Sequence, residues 1–315
     1  MPKATGKRKK YTKGHTNPRR GAPGMILVCE TGREVKCRRE GFQILEYYWD
    51  RLAAPHDVQV ADDGKKSFED ELEDLKNKGN VEKESPFVVF ETGCRGSVFV
   101  LRKQDVETKQ DDDTQGDNNE SNEEPSKKKQ RQEGLTTTEK DAFTPSGGSP
   151  WDPLTMADAI FQDCINQITS DADGNTIPGS RFVTRIIPIQ RTCFASLDEI
   201  KTTVLGLLET LLKSTPKSTT VPSFALKIKL RICGALQKLD IINSVAAIVV
   251  ETTREKCGTP WTVNLEKPDY AILIEVCKSI CGVSIVPRKI HEMAPNFNIA
   301  ELRHKSTAAD DDEKE

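Results

Sequence analysis

Residues 223–232 alternate between apolar and charged side chains, which is the pattern of a β-strand with two unlike faces. Successive side chains of a strand point to opposite sides of the sheet. One side would be apolar, with Phe224, Leu226, Ile228, Leu230 and Ile232. The other side would carry the cations Lys227, Lys229 and Arg231. The pattern predicts a core strand whose outer surface meets an anion, with nucleic acid as the first candidate.

Charge is distributed unevenly along the 315 residues, a length that fits one to three domains. The formal net charge of −3 argues against a uniformly basic nucleic-acid binder. Residues 1–20, however, carry eight Lys or Arg and no acid, whereas residues 105–124 carry nine acids and one lysine. Residues 310–315 are again acidic. Any functional charge pattern is therefore regional.

The composition predicts a soluble intracellular protein without a membrane partner. The longest apolar run lies around residues 245–250 and is far shorter than a bilayer span. The first ten residues lack the apolar stretch of a signal peptide. Nine cysteines without regular spacing are typical of reduced thiols rather than of a disulfide framework.

Hydrophobic patterning divides the chain into two folded units of the α/β class. We expect a basic disordered tail over 1–23 and a first unit over 24–103. Residues 104–149 have almost no large apolar side chains, which predicts a disordered acidic and basic linker. The second unit spans 150–290, and residues 291–315 hold a C-terminal motif and an acidic tail.

Helix and strand signals alternate in both units, which predicts a mixed sheet. The helix-start signals are Thr31 with Glu34, Asp152 with Pro153, and Ser196 with Glu199. A more polar helix is expected over 62–78. Pro188 places its strand at a sheet edge or a strand end, because proline cannot donate a ladder hydrogen bond.

The sequence offers no recognisable catalytic, metal or cofactor site. Ser146-Gly147-Gly148-Ser149 has no strand before it, so a linker is the better interpretation than a phosphate loop. The acids at 171–175 lack the spacing of a calcium loop. Cys277 and Cys281 lack the close spacing of a zinc knuckle, and buried thiols are favoured. We therefore expect no catalytic residue, no bound metal and no cofactor.

Further cations extend the basic surface beyond the alternating strand. Arg181 and Arg185 share one face of the first strand of the second unit, and Arg185 is either a contact or a member of a structural ion pair. Lys278, Arg288 and Lys289 lie near the end of that unit. Phosphate contacts of such side chains provide affinity with little sequence reading. The alternative is an ordinary solvated strand face.

Several motifs of the second unit resemble the THUMP domain, an RNA-binding module of tRNA-modifying systems. They are Arg185-Ile-Ile-Pro-Ile189 with Thr192-Cys-Phe-Ala195, Phe224-Ala-Leu-Lys-Ile-Lys-Leu-Arg231, Val263-Asn-Leu-Glu-Lys-Pro-Asp-Tyr270 and Ser284-Ile-Val286. The segments 24–29, 34–37 and 297–302 extend the resemblance to stand-alone THUMP proteins that act as adaptors of a tRNA cytidine acetyltransferase. The chain departs from that family at Ile232-Cys233, Gln237-Lys238 and Pro287-Arg288-Lys289.

The resemblance implies a ferredoxin-like N-terminal domain packed with the THUMP domain, together holding the acceptor end and body of a tRNA. It implies a non-catalytic protein that presents serine and leucine tRNAs to an RNA cytidine acetyltransferase, for N4-acetylcytidine formation in the D-arm. The RNA contacts would be Arg181, Arg185, Lys227, Lys229, Arg231, Lys278, Arg288 and Lys289. No small-molecule substrate is expected.

Two other functions remain open at this point. The chain could be a THUMP-type tRNA-modification enzyme acting alone, or a protein-interaction scaffold. The basic clusters at 7–10 and 127–131 predict nuclear or nucleolar import, with some cytoplasmic presence possible.

Overall fold

The computed structural model describes residues 17–18, 20–53, 85–90, 92–107, 151–166, 180–215 and 221–302. The helices in these ranges are α1 (Glu34–Ala53), α2 (Pro153–Ile165), α3 (Leu197–Ser214), α4 (Lys238–Cys257) and α5 (Arg288–Met293). The strands are β1 (Asn17–Pro18), β2 (Gly24–Val28), β3 (Phe87–Phe90), β4 (Ser97–Arg102), β5 (Val106–Glu107), β6 (Arg185–Ile189), β7 (Arg191–Phe194), β8 (Ser223–Arg231), β9 (Thr262–Val263), β10 (Tyr270–Cys277) and β11 (Ile280–Pro287). The expected helix over 62–78 lies outside the described residues, as do most of the expected tails and linker.

The first domain has the order β2-α1-β3-β4-α2-β6 along the chain, which is the βαββαβ arrangement of ferredoxin-like folds. Its four strands are all antiparallel and lie side by side as β3-β4-β2-β6. Met25 of β2 is opposite Pro188 of β6, and β6 is an edge strand, as its proline predicts. The ferredoxin-like architecture expected from the resemblance is therefore present.

The set of elements that forms this domain differs from the one expected from a division of the chain at residue 150. Helix α2 and strand β6 were assigned to the second unit, but they complete the first sheet and its core. Hydrophobic periodicity shows that a strand is buried, but not which strand it pairs with. The short β1–β5 pair also lies within the expected tail and linker, so order extends beyond residues 24 and 103.

Local signals explain where the helices begin. The Asp152 carboxylate accepts a hydrogen bond from the Thr155 N–H at 3.0 Å, so Asp152 caps α2, with Pro153 as the first helical residue. Ser196 caps α3 by accepting from the Glu199 N–H at 3.3 Å. Glu34 begins α1 but its carboxylate accepts instead from the Gly96 N–H at 2.8 Å, which ties the helix to the β3–β4 turn.

The second domain is a five-stranded sheet in the order β7-β11-β10-β8-β9. Strand β8 runs parallel to β10, and β11 is antiparallel to both β10 and β7. One face packs on α3 and α4, where Phe224, Ile274 and Val245 are fully buried in a single apolar core. The apolar side of the alternating strand thus faces the core from Phe224 to Leu230, as predicted. Ile232 was expected on the same side, but it lies past the end of β8 with a positive φ and is exposed.

The other face of this sheet meets the ferredoxin-like domain. A Cβ on Gly282 of β11 would lie 2.8 Å from Cδ1 of Ile189 of β6, so glycine permits this approach without displacing the Ile189 side chain. The Ser284 hydroxyl donates to the Pro188 carbonyl at 2.7 Å. After α5 the chain returns to the first domain, where Ile299 and Leu302 are buried in its core.

Candidate nucleic-acid interface

The register of the five-stranded sheet places the predicted cations of β8 in one row along the strand, each beside a residue of β10. Arg231 of β8 lies beside Cys277 of β10, Lys229 beside Glu275, and Lys227 beside Leu273. These side chains share the sheet face opposite α3 and α4, because Ile272, Ile274 and Val276 of β10 point into the core formed with those two helices. The basic row of β8 therefore borders the junction with the ferredoxin-like domain.

Arg231 is engaged in a buried ion pair. Its Nη1 lies 2.5 Å from Oε2 of Glu275, and the two side chains are only 12% and 10% exposed. Nη2 of Arg231 is buried without a hydrogen-bond partner among the described residues. The sequence placed Arg231 on a solvated outer face with the two lysines. In the structure its charge is largely balanced by Glu275.

Glu275 is surrounded by positive charge. Burial raises the pKa of its carboxyl above the ordinary range, and the nearby Arg231, Lys229 and Arg185 oppose that rise. Three cations therefore face one carboxylate, so the cluster is positive overall when the carboxyl is ionised. A single acid inside the otherwise apolar run 271–276 was the sequence signal for this counterion, and it was missed.

Lys229 and Arg185 bring the two domains' cations together. Lys229 is an exposed residue of β8, and Arg185 is a half-exposed residue of β6. Partial burial lowers the pKa of Lys229, with Arg231 and Arg185 adding to the effect through like-charge repulsion. No carboxylate of the described ranges lies within ion-pair distance of either side chain. Both remain available to an anion.

Lys227 lies half-buried along the same row. Its Nζ is 5.8 Å from the centre of the Phe297 ring, within the range of a cation–π contact. Burial lowers the pKa of Lys227 below its usual value. In the part of the chain that the structure describes, no acidic side chain forms an ion pair with it. Lys227 extends the unpaired positive charge toward the C-terminal segment.

Arg181 and Lys278 lie at the periphery of this surface. Arg181 is exposed, and its guanidinium is 5.5 Å from the centre of the Phe182 ring. Lys36 of α1, which the sequence did not single out, approaches the same ring at 5.0 Å. Lys278 occupies the β10–β11 turn, and its Nζ lies over Gly93.

Arg288 and Lys289 have partners within the protein. Arg288 pairs with Asp269 at 2.9 Å and donates to the Lys267 carbonyl at 2.7 Å. Lys289 pairs with Asp158 of α2 at 2.7 Å. These contacts fasten α5 to a neighbouring loop and to the ferredoxin-like domain. A structural role therefore accounts for both residues, and their contact with RNA stays a prediction.

Other chemistry is weakly represented. The described residues contain no group of three or more His, Cys, Asp or Glu side chains placed to hold a metal ion. All nine cysteines are free thiols, and seven of them are buried. No helix within the described ranges has the length and apolar character needed to cross a membrane.

Comparison with known proteins shows which proteins this chain resembles. Residues 194–286 match the family model described as the THUMP domain. The chain is 24% identical to THUMP domain-containing protein 1 of Bos taurus, over 90% of this chain and 63% of that protein. It is 23% identical to tRNA acetyltransferase TAN1 of Saccharomyces cerevisiae, over 44% of this chain and 47% of that protein. The chain therefore spans less than two thirds of the length of these relatives.

A solved structure shares a partial likeness. PH1313 of Pyrococcus horikoshii aligns with 84% of this chain and 54% of its own, at 13% identity and a TM-score of 0.37.

Proposed function

We propose that this protein, whose residues 194–286 form a THUMP domain, is a non-catalytic tRNA-binding adaptor. It presents serine and leucine tRNAs to an RNA cytidine acetyltransferase, which forms N4-acetylcytidine in the D-arm. The observation that carries the proposal is the meeting of unpaired cations from two domains. Lys227 and Lys229 of β8 lie on the sheet face that abuts the ferredoxin-like domain, which contributes Arg185.

The charge arrangement suits a phosphate backbone better than a small anion. Lys227 and Lys229 are two residues apart on one strand, so their Cα atoms are separated by about 6.6 Å. Arg185 adds a cation from β6, and Arg181 and Lys36 continue the positive surface on the ferredoxin-like domain. An extended row of cations follows a polyanion, whereas a compact pocket would enclose a single group. The RNA would then be held mainly through its backbone.

An adaptor accelerates a partner's reaction without reacting itself. Fixing a tRNA beside the acetyltransferase raises its effective concentration at the partner's site. Burial raises the pKa of the Cys37 and Cys277 thiols, which disfavours the nucleophilic thiolate at these two positions. We further propose nuclear residence, which imaging of a fluorescent fusion with and without the 7–10 and 127–131 clusters tests.

A tRNA titration tests the basic surface. The variant K227A/K229A/R185A should bind tRNA at least about tenfold more weakly, with a salt slope shallower by about 2 to 3, because three phosphate contacts are lost. Lys213→Ala is the matched control, since Lys213 is exposed at the end of α3 on the helical side of the sheet. It should leave both affinity and slope unchanged. Equal affinity of the triple variant and the wild type would refute the proposed surface.

A further inference from the structure

Strand β8 has an open edge along most of its length. Its partner on one side is β10 over all eight positions from Phe224 to Arg231, but on the other side β9 pairs only with Ser223 and Phe224. Beyond Phe224, nothing in the described ranges forms a ladder with β8 on that side. The stretch Ala225 to Arg231 is therefore a strand edge without a ladder partner among the described residues.

Hydrogen-bond parity shows which backbone groups face this edge. The Arg231 carbonyl accepts from the Lys278 N–H, so the odd-numbered residues of β8 bond toward β10. The Phe224 carbonyl accepts from the Asn264 N–H beyond β9, so the even-numbered residues face the other way. The N–H and C=O groups of Leu226, Ile228 and Leu230 consequently point outward. No hydrogen bond within the described ranges satisfies them.

Exposed apolar side chains lie beyond both ends of the edge. Val263 of β9 is 59% exposed at the start, and Ile232 and Leu239 are 64% and 65% exposed at the far end. Between them the edge presents Lys227 and Lys229 on one face and the partly exposed Leu226, Ile228 and Leu230 on the other. A complementary strand would carry acidic residues on the first face and apolar residues on the second.

We propose that this edge binds an extended acidic segment of a partner protein by strand addition. The segment alternates acidic with β-branched or aliphatic residues, and its backbone pairs with Leu226, Ile228 and Leu230. A second copy of this chain fits less well, because two β8 edges would bring Lys227 and Lys229 against their own equivalents. Lysines also guard edges against aggregation, and in that case no partner strand binds. The backbone pairing with β8 involves no group assigned to tRNA, although the acidic side chains of the segment would share Lys227 and Lys229 with it.

Selection from a displayed library of random peptides, each about eight residues long, tests the proposal on the full chain. The enriched peptides should alternate acidic and apolar residues. Ile228→Pro should weaken their binding at least about tenfold, because it removes an outward N–H without losing a bond to β10. The same variant should bind tRNA as the wild type does, which separates this proposal from the previous one.

Synthetic forms of the best peptide provide a test that does not depend on folding of the variant. N-methylation at the alternate positions that face β8 should abolish binding to the wild-type chain, whereas methylation at the intervening positions should leave it intact. Three results would overturn the proposal: no enriched peptide, equal binding to Ile228→Pro, or loss of binding regardless of which positions are methylated. A chain that dimerises in sedimentation, and becomes monomeric with Ile228→Pro, would favour the second copy instead.

Discussion

Replacing Arg231 by methionine should leave the Glu275 carboxylate as an uncompensated charge at the junction of the two domains. The two side chains are 12% and 10% exposed, so neither regains full hydration when the other is removed. Breaking a buried ion pair from one side costs about 3–5 kcal/mol, and the small remaining exposure favours the lower end. We expect a loss of about 3 kcal/mol at neutral pH, or about 6–12 °C in Tm for a protein of this class.

The pH dependence of the loss identifies its cause. Burial raises the pKa of Glu275 already in the wild type, and removing Arg231 removes a cation that opposes this rise. A carboxyl with a raised folded pKa binds more protons in the folded than in the unfolded state. The free energy of unfolding therefore falls as pH rises from the unfolded-state pKa of Glu275 to its raised folded-state pKa, and it is recovered on acidification. The deficit of Arg231→Met should shrink between about pH 7 and pH 5.

Urea unfolding of four proteins completes the test. They are the wild type, Arg231→Met, Glu275→Gln and the double variant. The double variant should recover to within about 1 kcal/mol of the wild type, since no unpaired charge remains. Two results would refute the electrostatic account. One is a free energy of unfolding of Arg231→Met within about 1 kcal/mol of the wild-type value at neutral pH, and the other is a loss of stability that changes neither with pH nor on addition of Glu275→Gln.

Two further predictions address the reaction and the domain junction. Purified chain should yield no acetylated tRNA from acetyl-CoA and ATP alone, but it should increase product formation by the cytidine acetyltransferase. Mass spectrometry of nucleosides measures both reactions. Acetylation or methylation of tRNA by the chain alone would contradict the adaptor proposal. Gly282→Ala should destabilise by about 1–3 kcal/mol in thermal melts, because its new methyl group would meet Ile189 at 2.8 Å, and Ile189→Val should recover part of the loss.

Sequence reasoning succeeded where the signal is local. Asp152 and Ser196 cap α2 and α3 because a side-chain oxygen three residues before a free N–H is sufficient for a cap. The two faces of β8 follow from the period of a strand, and Phe224 lies in the core as that period requires. These features need no knowledge of the rest of the chain.

Prediction from the sequence was less complete where the structure depends on residues that are distant along the chain. The partner of β6 is β2, which precedes it by more than a hundred and fifty residues, and the long polar segment between them concealed the pairing. Arg231, Arg288 and Lys289 look like unpaired cations in the sequence, but Glu275, Asp269 and Asp158 lie against them in space. A charge pattern predicts positive residues, whereas only the tertiary structure shows which remain unpaired.

The return of the chain after α5 restrains the THUMP domain at two points. One connection is the step from β6 to β7, and the other is the segment in which Asn298 forms a bridge to Arg185 and Ile299 donates its N–H to the Thr184 carbonyl at 3.0 Å. A domain joined to its neighbour by a single linker can rotate against it, whereas a domain connected at both its entrance and its exit is restrained. The two connections help to hold Arg185 near Lys229, so the cations proposed to contact RNA are positioned before any RNA binds.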